Sequence, residues 1–248
     1  MPDALGWRAK FGVLAPSTNT IVEPDFYHMS VPGVTSHFSR IHIRNQDLGS
    51  DAAFEALLEQ VREEIRFAVE RVMTAEPDYM VMGMSSETFW GGMEGNRQFV
   101  KQIKELTGNM GVATGAEACE RVLQNFGIKR IGVVTPYQPV GDHNVELFFN
   151  EIGADVVRIK GLRCPTAVSI AHVDEATLRQ ALLDVDGDDV DALVQAGTNL
   201  SMLRLADEAE RWLGKPVIAI NAAIWWMALR DNGIDDKIDG CGRLLHEF

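Results

Sequence analysis

The chain has 248 residues and a formal net charge of −13, and 46% of its residues are hydrophobic against 24% charged. This composition is typical of a globular protein that can bury one large core or two smaller ones. The acidic balance argues against nucleic acid and against an anionic membrane as partners. A small anionic substrate is still compatible with it, because a local site can oppose the sign of the whole molecule.

The three cysteines, Cys119, Cys164 and Cys241, show neither paired spacing nor a zinc-type pattern. We find no apolar leader of the signal-peptide kind and no window near the roughly 18 apolar residues of a membrane helix. We therefore expect a cytoplasmic protein without a disulfide framework, metal site or membrane association. No phosphate-binding glycine loop is present either, so no cofactor is predicted.

The first half of the chain alternates between apolar runs and amphipathic stretches. Helix 51–75 is indicated by apolar residues at three- and four-residue steps, and strand 79–82 by an unbroken apolar run. Gly127 is a helix-stop signal. The predicted strands cover 10–15, 34–43, 79–82 and 111–115, and the predicted helices cover 51–75, 94–106 and 116–126.

The second half repeats this alternation. Strands are predicted at 130–136, 155–159, 191–196 and 216–220, and helices at 144–152, 175–183, 202–213 and 222–230, with an irregular tail at 240–248. Alternating strands and helices predict an α/β fold with doubly wound parallel sheets covered on both faces. We expect two lobes, 1–127 and 128–248, with the segment 222–248 as a candidate to pack back on the first lobe.

Two pairs of segments suggest that the chain is an internal duplication. The strand and polar loop at 78–87 match those at 191–200, and the segment 10–16 matches 130–136. Ligands of parallel sheets bind beyond the carboxyl ends of the strands. The duplication therefore predicts a site between two similar lobes, where the polar loops meet.

Small polar residues follow three of the predicted strands, and such residues are both turn formers and ligand donors. In the duplicated loops, Ser85 corresponds to Thr198 and Ser86 to Asn199. The first strand is followed by Ser17 and Asn19. We take these six residues as candidate substrate-binding residues.

Several motifs in the same order resemble the aspartate/glutamate racemase superfamily, in particular its branch of arylmalonate decarboxylases and maleate cis-trans isomerases. The resemblance extends over nearly the whole chain. The motifs lie at 12–20, 85–91, 134–137, 173–178 and 240–244.

The resemblance implies a cleft between two lobes related by a pseudo-twofold axis, and a homo-oligomer that needs no cofactor. It also implies that backbone amides and hydroxyls hold the substrate carboxylate as a dioxyanion hole that stabilises an enediolate. The positions that match carboxylate-binding residues are Asn19, Ser85, Ser86, Tyr137, Thr198 and Asn199.

The chain departs from the family pattern at the two cysteine positions of the cleft. Racemases carry one cysteine on each side, and the decarboxylases keep the one in the second lobe. Here the two positions are occupied by Met84 and Gly197. Neither residue transfers a proton, so two-base racemisation and thiol-dependent isomerisation are disfavoured. Gly197 would also widen the pocket for a bulkier substrate.

We therefore predict a cofactor-independent enzyme that acts on a small carboxylate or dicarboxylate through an enediolate or oxyanion, with Glu87, Ser85 and Tyr137 as candidate catalytic residues. Glu87 is the new group in the loop and is a candidate general base or acid. One alternative is a hydrolase or lyase in which Glu87, His143 or His172 activates water. A second alternative is a non-catalytic protein that binds carboxylates.

Overall fold

The computed structural model describes residues 3–248, which form two parallel four-stranded sheets with helices around them. The first half contains strands β1 (Ala9–Pro16), β2 (Val34–Ile41), β3 (Tyr79–Met82) and β4 (Val112–Ala113), and helices α1 (Val22–His28), α2 (Asp51–Met73), α3 (Ser86–Phe89), α4 (Gly92–Leu106) and α5 (Gly115–Phe126).

The second half has the same plan. It contains strands β5 (Arg130–Thr135), β6 (Asp155–Gly161), β7 (Ala192–Gln195) and β8 (Val217–Ala219), helices α6 (Pro139–Glu151), α7 (Glu175–Val185), α8 (Leu203–Leu213), α9 (Ile220–Asp231) and α10 (Arg243–Glu247), and a 3-10 turn at Ser169–His172.

The two sheets have equivalent strand orders, β2-β1-β3-β4 and β6-β5-β7-β8, and their pairs run parallel. The predicted α/β class with two similar lobes is thereby confirmed. Strands β3 and β7 are buried along their whole length, which explains why each reads as a continuous apolar run. Polar side chains then follow at the carboxyl ends of the central strands.

Helix α2 supplies a long apolar face to the first lobe. Ser50 caps its first turn by accepting a hydrogen bond from the amide of Ala53. Its buried side chains recur at three- and four-residue steps, from Phe54 to Val72, as the sequence predicts. The first turns of this face extend beyond the sheet and reach the cavity described below.

Helix α9 connects the two halves. Its residues from Ile220 to Leu229 are all buried, and it packs against α1, β3, β4 and α5 of the first half as well as β8. The indole of Trp225 donates a hydrogen bond to the carbonyl of Met29, with a distance of 2.8 Å. No helix within residues 3–248 combines the length and the apolar character needed to cross a membrane.

Two predicted elements are wrong. Helix α6 begins at Pro139 rather than at 144, because proline is favoured in the first helical turn, where no amide partner is needed. The tail is not irregular, since Arg243–Glu247 forms α10. Glu210 stabilises its start, accepting hydrogen bonds from the amides of Arg243 (2.7 Å) and Val217 (3.1 Å).

Candidate functional site

A cavity of about 60 Å³ lies between the two lobes, at the carboxyl ends of β1, β3, β5 and β7. Its lining residues are Pro16, Thr18, Asn19, Ile43, Leu48, Phe54, Leu57, Val61, Met84, Ser85, Ser86, Pro136, Tyr137, Ala167, Ile170, Gly197, Thr198 and Asn199. The loops that follow β3 and β7 therefore lie at one site, together with Pro16 and Pro136, which end the matching segments 10–16 and 130–136.

Hydrogen bonds join the two loops directly on the polar side of the cavity. The hydroxyl of Ser85 lies 2.6 Å from the phenol oxygen of Tyr137 and accepts a hydrogen bond from the amide of Thr198 at 3.3 Å. The hydroxyl of Thr198 donates to the carbonyl of Gly83 at 3.2 Å. A serine of the first lobe thus contacts a tyrosine and a threonine of the second.

Two asparagines fix the loops that carry these hydroxyls. Asn19 donates from Nδ2 to the Thr198 hydroxyl at 3.0 Å, and its Oδ1 accepts from two amides at the start of α1. Asn199 accepts from the amide of Thr20 and donates to the carbonyl of Ala167, both at 3.0 Å. Each asparagine therefore connects a loop of one lobe to a loop of the other.

The opposite side of the cavity is apolar. Phe54, Leu57 and Val61 come from the first turns of α2, and Ile43, Leu48, Ala167 and Ile170 come from the segments at 43–48 and 167–170. The aromatic ring of Phe54 lies 5.4 Å from that of Tyr137, measured between centroids. The cavity thus presents hydroxyl and amide groups on one side and hydrocarbon on the other.

Within residues 3–248, no Asp, Glu, His, Lys, Arg or Cys side chain lines this cavity. Burial is the main cause that raises the pKa of the Tyr137 phenol, and the hydrogen bond with Ser85 opposes it. Tyr137 is therefore a neutral phenol that can donate a hydrogen bond. The donors facing the cavity are neutral, which suits an anionic ligand stabilised by hydrogen bonds rather than by an opposite charge.

Comparisons with known proteins agree with this architecture. The family model for arylmalonate decarboxylase matches residues 15–245. The chain belongs to this family. It is therefore an enzyme of the isomerase and decarboxylase type.

Individual relatives are distant. A maleate isomerase from Nocardia farcinica is 23% identical over 247 residues, which cover 96% of each chain. An arylmalonate decarboxylase from Bordetella bronchiseptica is 26% identical over 202 residues, which cover 80% of each chain. The solved structure of Nocardia farcinica maleate cis-trans isomerase bound to TRIS superposes with a TM-score of 0.86 at 21% identity, covering 96% of this chain and 98% of that one.

In the part of the chain that the structure describes, no thiol lines the cavity of this member of the arylmalonate decarboxylase family. Cys119, Cys164 and Cys241 are all buried elsewhere, and burial raises the pKa of each thiol. Gly197 has a φ of +137°, and a Cβ atom there would lie 2.6 Å from Cδ of Pro136. A cysteine at this position would therefore be strained and in steric conflict with Pro136.

Two predicted site residues do not line the cavity. Ser17 is exposed, and its hydroxyl accepts from the amide of Ile43 at 3.1 Å. Glu87 is buried, and its Oε1 accepts from Nε of Arg62 at 2.6 Å. Burial raises the pKa of Glu87, although the hydrogen bond from Arg62 lowers it. The two histidines considered from the sequence, His143 and His172, are exposed and also lie outside the lining.

The other predicted site residues, Asn19, Met84, Ser85, Ser86, Tyr137, Gly197, Thr198 and Asn199, are all brought together in the lining. Thr18 belongs to the polar loop predicted after the first strand, although it is not among the predicted site residues, and the sequence did not indicate the apolar wall of Phe54, Leu57 and Val61. The periodic pattern of α2 marks these three residues as buried, but it does not distinguish contact with the core from contact with a cavity.

Proposed function

We propose that the chain is a cofactor-independent enzyme that holds a small carboxylate or dicarboxylate through Ser85, Tyr137 and Thr198. One observation carries the proposal: the Ser85 hydroxyl lies between the Tyr137 phenol (2.6 Å) and the Thr198 amide (3.3 Å). Hydroxyl and amide groups that converge on one point stabilise developing negative charge on oxygen. The apolar wall would accommodate the rest of the substrate.

Among the reactions named for its relatives, decarboxylation fits a cavity without a base or a thiol. When a malonate-type dianion loses carbon dioxide, the electron pair of the broken carbon–carbon bond remains as an enediolate. No base is needed for that step, and one proton must then reach the carbon atom. We assign this proton to the Tyr137 phenol, which water re-protonates. Racemisation would need a base at the carbon, and thiol-dependent isomerisation would need a nucleophile.

The test is incubation with phenylmalonate, maleate, aspartate, and small lactams and lactones in D₂O. We expect carbon dioxide release from phenylmalonate and one deuterium at the α-carbon of the product. The double variant Ser85→Ala/Thr198→Ala should lose both signals. Ring opening or ammonia release without carbon dioxide would instead indicate a hydrolase, and tight binding of a carboxylate without turnover would indicate a binding protein.

A hydrolytic alternative has one observation in its favour. The Oε2 atom of Glu87 is buried and has no hydrogen-bond partner among residues 3–248, and burial raises the pKa of this carboxyl group. Such a group could accept a proton from water if the first turn of α3 turned toward the cavity. Comparison of the pH–rate profiles of the wild type and Glu87→Gln decides this, because an unchanged profile removes Glu87 from the chemistry.

A homo-oligomer and a cytoplasmic location remain predictions from the sequence and the family resemblance. Light scattering coupled to size-exclusion chromatography measures the first. A monomeric mass across the micromolar range would contradict it.

A further inference from the structure

The backbone of Tyr137 is held on both sides by groups that do not face the cavity. Its amide donates to the hydroxyl of Thr135 at 3.1 Å, and its carbonyl accepts from Nη1 of Arg163. Thr135 is the last residue of β5, and Arg163 follows the end of β6. The peptide groups that orient the phenol are thus attached to the ends of two neighbouring strands.

Asp142 joins these two contacts into one unit. Its Oδ1 accepts from the Thr135 hydroxyl, and its Oδ2 accepts from Nη1 of Arg163 at 2.5 Å. Asp142 lies in the first turns of α6 and is 6% exposed. The Asp142 carboxylate therefore binds both Thr135, which accepts from the Tyr137 amide, and Arg163, which donates to the Tyr137 carbonyl. Asp142, Thr135 and Arg163 are all absent from the cavity lining.

This arrangement has a cost in free energy. Burial of the Asp142 carboxylate raises its pKa, although the hydrogen bonds from Thr135 and Arg163 oppose that shift. Arg163 adopts a φ of +53°, which is unfavourable for a residue with a side chain. The ion pair also occupies the space beside Gly161, where a Cβ atom would overlap both Arg163 Nη1 and Asp142 Oδ2. Strain of this kind persists where the surroundings impose it, and it is concentrated at functional sites.

We propose that Asp142 is a positioning residue that fixes the backbone of Tyr137, and through it the phenol beside Ser85. Hydrogen-bond donors of a catalytic site must be held within about 0.5 Å of their productive position. A tyrosine in a loop after a strand does not reach that precision by itself. An effect of Asp142 on substrate binding rests on the proposed function, whereas its effect on the position of the phenol does not.

The placement is measured by NMR of the protein labelled with ¹³C at the tyrosine Cζ atoms. The chain has three tyrosines, Tyr27, Tyr79 and Tyr137, so three signals are resolved and the variant Tyr137→Phe assigns one of them. We expect Asp142→Asn to shift and broaden the Tyr137 signal and to leave the other two in place. The matched control is Asp231→Asn, because Asp231 pairs with Arg121 and accepts from the Tyr79 phenol at 2.5 Å, and both of these partners belong to the first lobe. That variant should move the Tyr79 signal alone.

Gly161→Ala is a second variant that keeps every group of the cluster and only displaces the ion pair. It should move the Tyr137 signal in the same direction as Asp142→Asn. If one of the two variants does not fold, the other still tests the proposal. Isothermal titration with phenylacetate, the product of the proposed decarboxylation, should show about a tenfold weaker Kd for both variants. If the signal of Tyr137 stays at its wild-type position in both folded variants, the proposal is overturned. If the signal moves but the wild type binds no carboxylate, the positioning role stands and the proposed function fails.

Discussion

At the scale of single residues, Ser85 is the point where the two halves of the chain converge. Its hydroxyl contacts Tyr137 at 2.6 Å and accepts from the amide of Thr198 at 3.3 Å. In Ser85→Ala the substrate loses a donor and the buried Thr198 amide loses an acceptor. We expect carboxylate affinity to fall by about 1–2 kcal/mol, or roughly tenfold. Isothermal titration with phenylacetate, the product of the proposed decarboxylation, measures this affinity.

The control is Ser39→Ala, a buried serine of β2 that lies outside the cavity lining. Its affinity for phenylacetate should equal that of the wild type. Equal affinities for the wild type and Ser85→Ala would mean that the hydroxyl chain does not hold the ligand.

Gly197 is the second residue whose identity is constrained by its surroundings. Its φ of +137° disfavours a side chain, and a new Cβ atom would lie 2.6 Å from Cδ of Pro136. Gly197→Ala should therefore lower the free energy of unfolding by more than 2 kcal/mol, as an estimate of about 1–3 kcal/mol for backbone strain plus the overlap. Urea denaturation followed by circular dichroism measures this loss.

Gly214→Ala separates the two causes, because Gly214 has a φ of +71° and open space around a new Cβ atom. It should lose only about 1 kcal/mol, from the backbone preference alone. Similar losses in both variants would show that Pro136 moves aside easily. In that case a cysteine at position 197 would be tolerated as well.

At the scale of secondary-structure elements, the regular part of the fold follows from the sequence alone. The strand 79–82 and the helix 51–75 were predicted from apolar runs and periodicity, and they appear as β3 and α2 with nearly the same bounds. The short helices α1 and α3 were not predicted. Each has fewer than eight residues, so its hydrophobic periodicity covers less than about two turns and carries little signal.

The site is predictable to the level of loops but not to the level of side-chain direction. Ser85 and Thr198 follow buried strands of a duplicated unit, and the equivalent positions in two lobes meet at one cleft. Glu87 lies two residues after Ser85, where α3 has already begun and turns its carboxylate toward Arg62 of α2. Sequence spacing cannot show this, because the direction depends on a helix that only the tertiary packing stabilises.

Helices α1 and α9 are linked by a carboxylate whose protonation affects their packing. Asp25 of α1 accepts from Nδ2 of Asn221 in α9 at 2.7 Å, and the same Nδ2 donates to the carbonyl of Thr198 at 3.0 Å. Burial raises the pKa of Asp25 from 3.8 to about 6, against the hydrogen bond from Asn221 and the charge of Arg204.

Between pH 3.8 and about 6 the folded state therefore binds more protons at Asp25 than the unfolded state does. It follows that this group lowers the free energy of unfolding as the pH rises through that window. We expect the stability of the wild type, relative to Asp25→Asn, to decrease from pH 4 to pH 7. Urea denaturation at each pH measures the difference.

Asp174→Asn provides a control of opposite sign. Asp174 caps α7, and its hydrogen bonds with Thr177 lower its pKa from 3.8. Its stabilising effect is present above that value and is lost as the pH falls through the lower, folded-state pKa. The wild type should therefore gain stability over Asp174→Asn as the pH rises toward 3.8, and the difference should stay level from pH 4 to pH 7. A difference for Asp25→Asn that is flat or rises with pH would contradict the assignment.

At the scale of the whole molecule, the larger of two hydrophobic core clusters contains residues of both lobes, whereas the smaller one belongs almost entirely to the first lobe. Phe11 of β1 and Phe26 of α1 lie 5.5 Å and 5.0 Å from the ring of Trp225 in α9, measured between centroids. Arg8, near the start of the chain, pairs with Asp236 at 2.5 Å. The cavity depends on this packing, since α9 also holds the Thr198 carbonyl through Asn221.

We therefore expect Trp225→Ala to destabilise both lobes together. Trp225 is 1% exposed, and its indole donates to the Met29 carbonyl. The substitution leaves a cavity between the halves and an unpaired buried carbonyl, with an expected loss of about 3–5 kcal/mol. Trp212→Ala is the control, because Trp212 is 39% exposed on α8 and its loss should cost about 0.5 kcal/mol or less. Urea denaturation should show one transition in both variants, shifted strongly in Trp225→Ala. Two transitions in the wild type, or equal shifts in the two variants, would mean that the lobes fold independently and that α9 does not determine the geometry of the cavity.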